Sequence, residues 1–323
     1  MSVLRISQIE HSAGIEVHGA ARVCLFESKV ASNNCEYKHL VLADSGGEIN
    51  AYGWANQLRK EIKEISEEIV LITGRTKLLP RNNELAIDLY DIAPVSSATE
   101  NPLLLYPLPE AANSSDVSEL ISIINEISSN SLRLFLYEVF SDRKLLTIYL
   151  TGKGSDRHHH SEPGGLLRHS IEVARFVGRI DELDGNMREV AIVAALLHDI
   201  AKTRTYYNDH ENKNSFMVSH DMRTYRILTG SLDRLQKRWP DGAELFHICV
   251  ESLIDRKKFM QTHKHIPAAA EVVSFGDQLS TALYKEQHAT QQMKYWQRQI
   301  KLDGEIYWRC HPDNYSETIR LAA

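Results

Sequence analysis

The chain has 323 residues, 43% of them hydrophobic and 25% charged, a balance that excludes a wholly disordered chain, a collagen-like one or a small disulfide scaffold. At about 100–200 residues per domain, the length fits two or three domains. Lys and Arg total 37 against 43 Asp and Glu, a formal net charge of −6, so a general electrostatic grip on nucleic acid is not the organising feature, and any polyanion needs a local basic patch or a bound metal.

Up to about Ile92 the pattern is strand-like. Glu16 to Glu27 alternates loosely and is rich in Val, Ile and Leu. Tyr37 to Ala43 is a second run, closed by the turn signal Asp44-Ser45-Gly46-Gly47. Glu48 to Trp54 alternates cleanly, with Ile49, Ala51 and Gly53 on one face and Asn50, Tyr52 and Trp54 on the other. Asn56 to Glu68 has the character of a short charged helix, and Ile69 to Thr73 and Glu84 to Ile92 are two further strands. Five short strands with a helix after the third is the ordering of an OB-type barrel, with another small β-barrel as the alternative.

Pro94 to Ser115 is rich in Pro, Ser and Asn and has the composition of a linker or wrapping arm. The period then changes to that of a helix. Asp116 and Glu119 are spaced as an N-cap and capping box ahead of Val117, Leu120, Ile121, Ile124 and Ile127. Leu132, Phe135, Leu136 and Val139 continue on a second helix. Further helices are expected over Gly165 to Ile180, Met187 to Lys202, His220 to Leu228, Ala243 to Ile254 and Pro267 to Tyr284. The fold class is therefore α+β, with an N-terminal five-stranded OB-type barrel at 1–95, a linker at 96–115, an all-α domain at 116–300 and a C-terminal tail at 301–323.

The four cysteines, Cys24, Cys35, Cys249 and Cys310, form no CxxC pair, which points to reduced thiols rather than a zinc ribbon or disulfide framework. Met1 to Ser12 contains no apolar stretch of the kind a secretory signal requires. The apolar run Ala191 to Leu197 falls far short of the ~20 residues a membrane span needs. These features predict a soluble, cytoplasmic protein.

The 15 histidines are unevenly placed. Three stand at 158–160, His169 follows, and His198 adjoins Asp199 just after the apolar run, where a buried carboxylate is costly unless paired or coordinated. His220, His247, His263 and His265 come later. Imidazole with carboxylate is a ligand set for Mn, Fe, Co, Ni or Zn. A pair of antiparallel helices could bring His169 to the His198-Asp199 doublet.

HHHSEPGGLLRHSIEVA followed by VAALLHDIAK resembles an HD-type metal-dependent phosphohydrolase domain, and most closely that of YhaM-like 3′→5′ exoribonucleases, which pair an N-terminal OB fold with a C-terminal HD domain. DSGGEINAYGW resembles a strand-turn-strand of their OB domain, and GGLLRH also resembles the HD-like domain of TraI-type conjugative relaxases. The resemblance implies a divalent-metal site at His169, His198, Asp199 and Asp277, with the metal itself left open. It implies that Lys202 holds a phosphate oxygen, and that His159 and His160 contact phosphate or act as general acid. His220 and His247 match positions that hold a second ion in two-metal relatives. Glu251-Ser252-Leu253-Ile254 departs from the family's His-His-Gly stretch, and Ser280 replaces a second Asp of its last helix, which favours a single-metal site.

A basic loop, with Arg256, Lys257, Lys258, His263, Lys264 and His265 around Phe259, lies between His247 and Asp277 in sequence and suits a polyanion. On the barrel, Tyr52 and Trp54, with Tyr37 and Tyr90 on other strands, are candidates for base stacking, although residues 1–95 hold 10 Lys and Arg against 13 Asp and Glu. The expected function is metal-dependent 3′→5′ exonuclease action on single-stranded RNA, with DNA also open, to give nucleoside monophosphates. The alternatives are an HD-type nucleotide phosphohydrolase, or a nucleic-acid-binding or conjugation-associated module with a degenerate HD site. The family resemblance also implies a homo-oligomer.

Overall fold

The computed structural model describes residues 4–9, 11–58, 69–95, 100–155, 160–205, 220–254 and 266–311. The chain divides into two compact units, one built from residues 1–112, 129–147 and 231–235, the other from 113–128, 148–230 and 236–323.

The first unit is organised by five strands, β1 (Glu16–Val30), β2 (Glu36–Ala43), β3 (Glu48–Trp54), β4 (Ile69–Leu78) and β5 (Leu85–Val95). They close into a barrel in the order β1-β2-β3-β5-β4. β1 is long enough to pair with β2 through one half and β4 through the other, and a bulge between Val23 and Leu25 bends it. The parallel pairing of β3 with β5 closes the ring. Ile49 and Ala51 point inward with Leu40, Leu42, Val70, Ile72, Ile87 and Leu89, as the period-2 alternation requires. The β2–β3 turn is held by Asp44, whose Oδ1 accepts from the Gly46 and Gly47 amides at 2.7 and 2.9 Å. The helix expected at Asn56 to Glu68 falls mainly on 59–68, outside the described residues.

The Pro- and Asn-rich stretch after the barrel is more structured than its composition suggests. Asn101 caps a short helix, α1 (Pro102–Leu105), by accepting from the Leu103 amide at 3.0 Å. Leu105 and Tyr106 pack on Ala20 and Ile69 of the barrel. Proline at the first helical position and asparagine before it are helix-start residues as well as loop residues. Asn113 repeats the device for α2 (Ser114–Glu126), accepting from Ser115 and Asp116 amides at 3.0 and 3.2 Å. The expected Asp116 cap is therefore corrected: Asp116 lies within the first turn and pairs with Arg168 at 3.2 Å. Glu119 pairs with Arg175 instead of closing a capping box.

The remaining helices are α3 (Asn130–Phe140), α4 (Arg143–Thr151), α5 (Gly165–Gly178), α6 (Gly185–Leu197), α7 (Lys202–Thr205), α8 (His220–Arg238), α9 (Pro240–Ile254) and α10 (Ala268–Gln291). In the second unit α6 packs against α5, α9 and α10. This enclosure explains why Val190, Ala191 and Val193 to Leu197 are all buried, with no polar face on the last two turns. The Tyr149 hydroxyl donates to the Leu196 carbonyl at 2.7 Å and ties down the C-terminal end of α6. Residues of the expected tail form a hairpin, β6 (Gln299–Leu302) and β7 (Glu305–Trp308), beside α10. Among the described residues no helix is long and apolar enough to cross a membrane.

The cysteines are unpaired: Cys24, Cys35 and Cys310 are exposed, and Cys249 is buried. Burial pushes the Cys249 thiol up to about 12. A thiol-reactive chromophore is expected to titrate the three exposed cysteines in the native protein and Cys249 only after denaturant is added. Rapid modification of all four under native conditions would contradict the packing of α9.

Candidate metal centre

His169 lies one turn into α5, fully buried. The entry to this helix is tight: Gly164 adopts a left-handed φ of 79° as its N-cap, and Gly165 follows. His198 is the C-cap of α6 and Asp199 begins the turn that leads into α7. Asp277 comes from α10. The three helices bring these side chains together: His169 meets the His198-Asp199 doublet as the helix-pair spacing anticipates, and Asp277 joins them where the family resemblance implies. His169 Nε2 lies 3.3 Å from His198 Nε2 and 3.1 Å from Asp277 Oδ1. Asp277 Oδ1 is 3.7 Å from His198 Nε2. Asp199 Oδ2 stands 3.6 Å from His169 Nε2 and 3.4 Å from His198 Nε2, and Lys202 forms an ion pair with the same oxygen.

This donor set fits a divalent cation. His198 Nδ1 lies 2.7 Å from the Ala195 carbonyl, which can only accept, so Nδ1 carries a proton and Nε2 of the neutral ring carries a lone pair. That lone pair faces His169 Nε2 and two carboxylates. Lys202 answers the charge of Asp199, and a cation between the two nitrogens and Asp277 would answer the remaining acceptors. Ligand atoms of His169, His198 and Asp277 lie within 4.8 Å of one another, and imidazole with carboxylate suits Mn, Fe, Co, Ni or Zn.

The electrostatics point the same way. Burial would push the Asp199 carboxyl up, but His198, Lys202 and His169 outweigh it and hold it well below the usual range. Burial is likewise outweighed at Asp277 by the adjacent His169 and His198 rings, which hold its carboxyl well below the usual range. Burial depresses His169. At His198 burial pulls down but is overcome by Asp199 and Asp277, so its pKa is raised. A metal must displace the His198 proton. Mn²⁺ affinity is therefore expected to fall as pH drops through that raised value, which isothermal titration across a pH series would read. A pH-independent affinity would remove His198 from the ligand set.

A further layer lies behind His169. Its Nδ1 is 2.9 Å from Ser280 Oγ, which in turn lies 2.7 Å from Glu172 Oε2. His160 Nε2 is 3.3 Å from the same Glu172 oxygen. His160 is 1% exposed, with its ring 4.4 Å from that of Tyr284. The general-acid role expected for His160 does not suit this placement, because a ring committed to Glu172 behind a ligand cannot reach a leaving group. The sequence singled out Ser280 only as a departure from the family and gave no signal for Glu172, a helical acidic residue.

His247 is not drawn into the cluster. Its ring stacks on Tyr225 at 5.1 Å and its carbonyl accepts from the Tyr225 hydroxyl at 3.1 Å. The side chain of His220 lies outside the described residues, as do His159 and the basic loop with Arg256, Lys257, Lys258 and Lys264. In the barrel unit, Tyr52 and Trp54 lie on the face of β3 opposite the buried Ile49, Ala51 and Gly53. Tyr37 pairs with Trp54 at 4.8 Å and His39 stacks on Tyr52 at 5.1 Å. Lys77 Nζ sits 5.0 Å from the centre of the Tyr52 ring.

Comparison with known proteins agrees with this geometry. Residues 166–282 match the HD domain family model, a range that contains His169, His198, Asp199 and Asp277. A stretch of 199 residues, 60% of this chain, is 24% identical to the 3'-5' exoribonuclease YhaM of Shouchella clausii (strain KSM-K16). The chain spans about 60% of the length of that curated relative. An HD domain therefore occupies residues 166–282, preceded in the chain by a closed five-stranded barrel that fits an OB fold.

Proposed function

We propose that the protein is a metal-dependent 3′→5′ exonuclease of single-stranded RNA that releases nucleoside monophosphates. The observation that carries the reading is the convergence of His169, His198, Asp199 and Asp277 within an HD domain. The similarity to a 3'-5' exoribonuclease and the aromatic strip of the barrel support the choice of substrate. His169, His198 and Asp277 would hold a divalent ion, with Asp199 beside them. Such an ion, when bound, makes hydroxide available near neutral pH and polarises a phosphoryl oxygen. Asp199 orients the attacking water, and Lys202, held at the site by Asp199, balances charge growing on the phosphate. His159 remains the candidate to protonate the leaving oxygen. Tyr52 and Trp54 supply stacking surfaces, and Arg256, Lys257, Lys258 and Lys264 supply charge for the strand.

The test is cleavage of single-stranded RNA and DNA labelled at the 5′ end, with Mn²⁺ or with EDTA. Stepwise shortening from the 3′ end with Mn²⁺ alone is the expected result. Bound metal without strand cleavage would move the assignment to nucleotides as substrates. Tyr52→Ala is expected to weaken RNA binding by about 1–3 kcal/mol, the worth of one stacked base, as read by fluorescence anisotropy in EDTA. Undiminished binding would exclude Tyr52 from the strand path.

A further inference from the structure

We propose that Ser280 and Glu172, steadied by His160, form a positioning relay that fixes His169 in the tautomer able to bind metal through Nε2. The inference rests on the metal-centre reading and extends it to residues that touch neither metal nor substrate.

Proton counting carries the argument. An ionised carboxylate accepts hydrogen bonds and donates none. Ser280 Oγ, 2.7 Å from Glu172 Oε2, therefore gives its single hydroxyl proton to Glu172. With that proton spent, Oγ meets His169 Nδ1, 2.9 Å away, as an acceptor. Nδ1 must then carry hydrogen, and Nε2 of the neutral ring is left with the lone pair. Nε2 is the atom that faces Asp277 at 3.1 Å and His198 at 3.3 Å. The opposite tautomer would put a hydrogen where the metal should sit and leave two acceptors opposed at Nδ1.

Glu172 is kept in place from its other side. His160 Nε2, 3.3 Å from the same Oε2, can donate to it. The backbone holds His160 in turn: its carbonyl accepts from the Gly154 amide at 2.7 Å. Glu172 and His169 lie three residues apart on α5 while Ser280 comes from α10, so the relay also sets the register of the two helices at the ligand. Ligating histidines commonly donate their second ring N–H to a carboxylate, a carbonyl or a water, and loss of that partner costs about 10–100-fold in metal affinity. Here a hydroxyl stands between the histidine and its carboxylate.

Two readouts independent of hydrolysis test the relay. The first is Mn²⁺ affinity by isothermal titration. Ser280→Ala is expected to lower it about 10–100-fold, with Ser280→Thr, which keeps the hydroxyl, restoring most of the loss. Glu172→Gln, at a partly exposed side chain, is expected to lower it toward the smaller end of that range, because a charge-assisted hydrogen bond becomes a neutral one. The second is the ring ¹⁵N spectrum of the metal-free protein at alkaline pH, with His169 assigned from a His169→Gln sample. The wild type should show His169 protonated at Nδ1, and Ser280→Ala should shift it toward a mixture of tautomers. Wild-type Mn²⁺ affinity in both Ser280→Ala and Glu172→Gln, or a wild-type His169 protonated at Nε2, would overturn the relay. A protein that passes both tests yet cleaves no strand would keep the relay and lose the exonuclease assignment.

Discussion

Asp199→Ala is expected to slow metal-dependent hydrolysis of single-stranded RNA by at least about 10²–10³-fold, the usual cost of removing one preorganised electrostatic group from a reaction centre. The side chain is 14% exposed and faces two histidine nitrogens and an ammonium group. Its carboxyl is held well below the usual range, so it is ionised throughout the pH range in which the enzyme would work. Alanine removes that charge and leaves Lys202, itself 14% exposed, close to the two imidazoles. An uncompensated cation there opposes a divalent ion, so bound metal should fall together with rate. Asp199→Asn separates charge from shape. It should lose activity as Asp199→Ala does while its unfolding midpoint stays nearer the wild type. Elemental analysis of metal content, run beside the rate assay, checks the two losses together. A variant that keeps its rate would confine the chemistry to His169, His198 and Asp277.

β3 was the most legible strand because its two faces differ in burial along its whole length. The alternation of Ile49, Ala51 and Gly53 against Asn50, Tyr52 and Trp54 survives unchanged in the barrel. The helical half was legible in its amphipathic members and in the apolar α6. What escaped was α4, which none of the expected helices covers, and punctuation. Asn101, Pro102 and Asn113 belong to loop composition and to helix starts alike, and only the neighbouring contacts decide between them. Asp303-Gly304 is a hairpin signal between QIKL and EIYW, with φ of 52° and 85° at the two positions. The expectation of a tail passed over it. At the metal centre His198-Asp199 declared itself as an adjacent pair beside an apolar run, whereas Asp277 came from family resemblance. Glu172 and Ser280 were unreadable for a different reason: they stand 108 positions apart, and a lone helical glutamate or serine has no local pattern that reveals its partner.

Gly165→Ala is expected to destabilise the protein by about 1–3 kcal/mol through overpacking and to lose metal binding with it. A Cβ at 165 would lie 2.1 Å from the His160 carbonyl oxygen and 2.8 Å from its carbon. These are backbone atoms, so no rotamer change relieves the clash. Neither strand of backbone is free to retreat. The His160 carbonyl is bound to the Gly154 amide at 2.7 Å, the Gly165 amide donates to Glu162 at 3.0 Å, and the Leu166 amide donates to Gly152 at 3.1 Å. The strain must therefore move the first turn of α5. His169 stands four residues further along the same helical face, and its contacts at 3.1 and 3.3 Å leave no slack for such a shift. Gly164→Ala is the control. Its Cβ would find nothing nearer than the Leu150 carbonyl at 3.7 Å, but its φ of 79° disfavours any side chain, at about 1–2 kcal/mol. The two variants should look alike by calorimetry and differ in metal titration: Gly164→Ala loses stability and retains metal, because its cost is local to one residue's backbone. Gly165→Ala loses both, because its cost is transmitted along the helix that carries the ligand. Equal metal affinity in the two would mean that α5 can slide on its neighbours without disturbing His169, and the close approach at Gly165 would then have no part in building the centre.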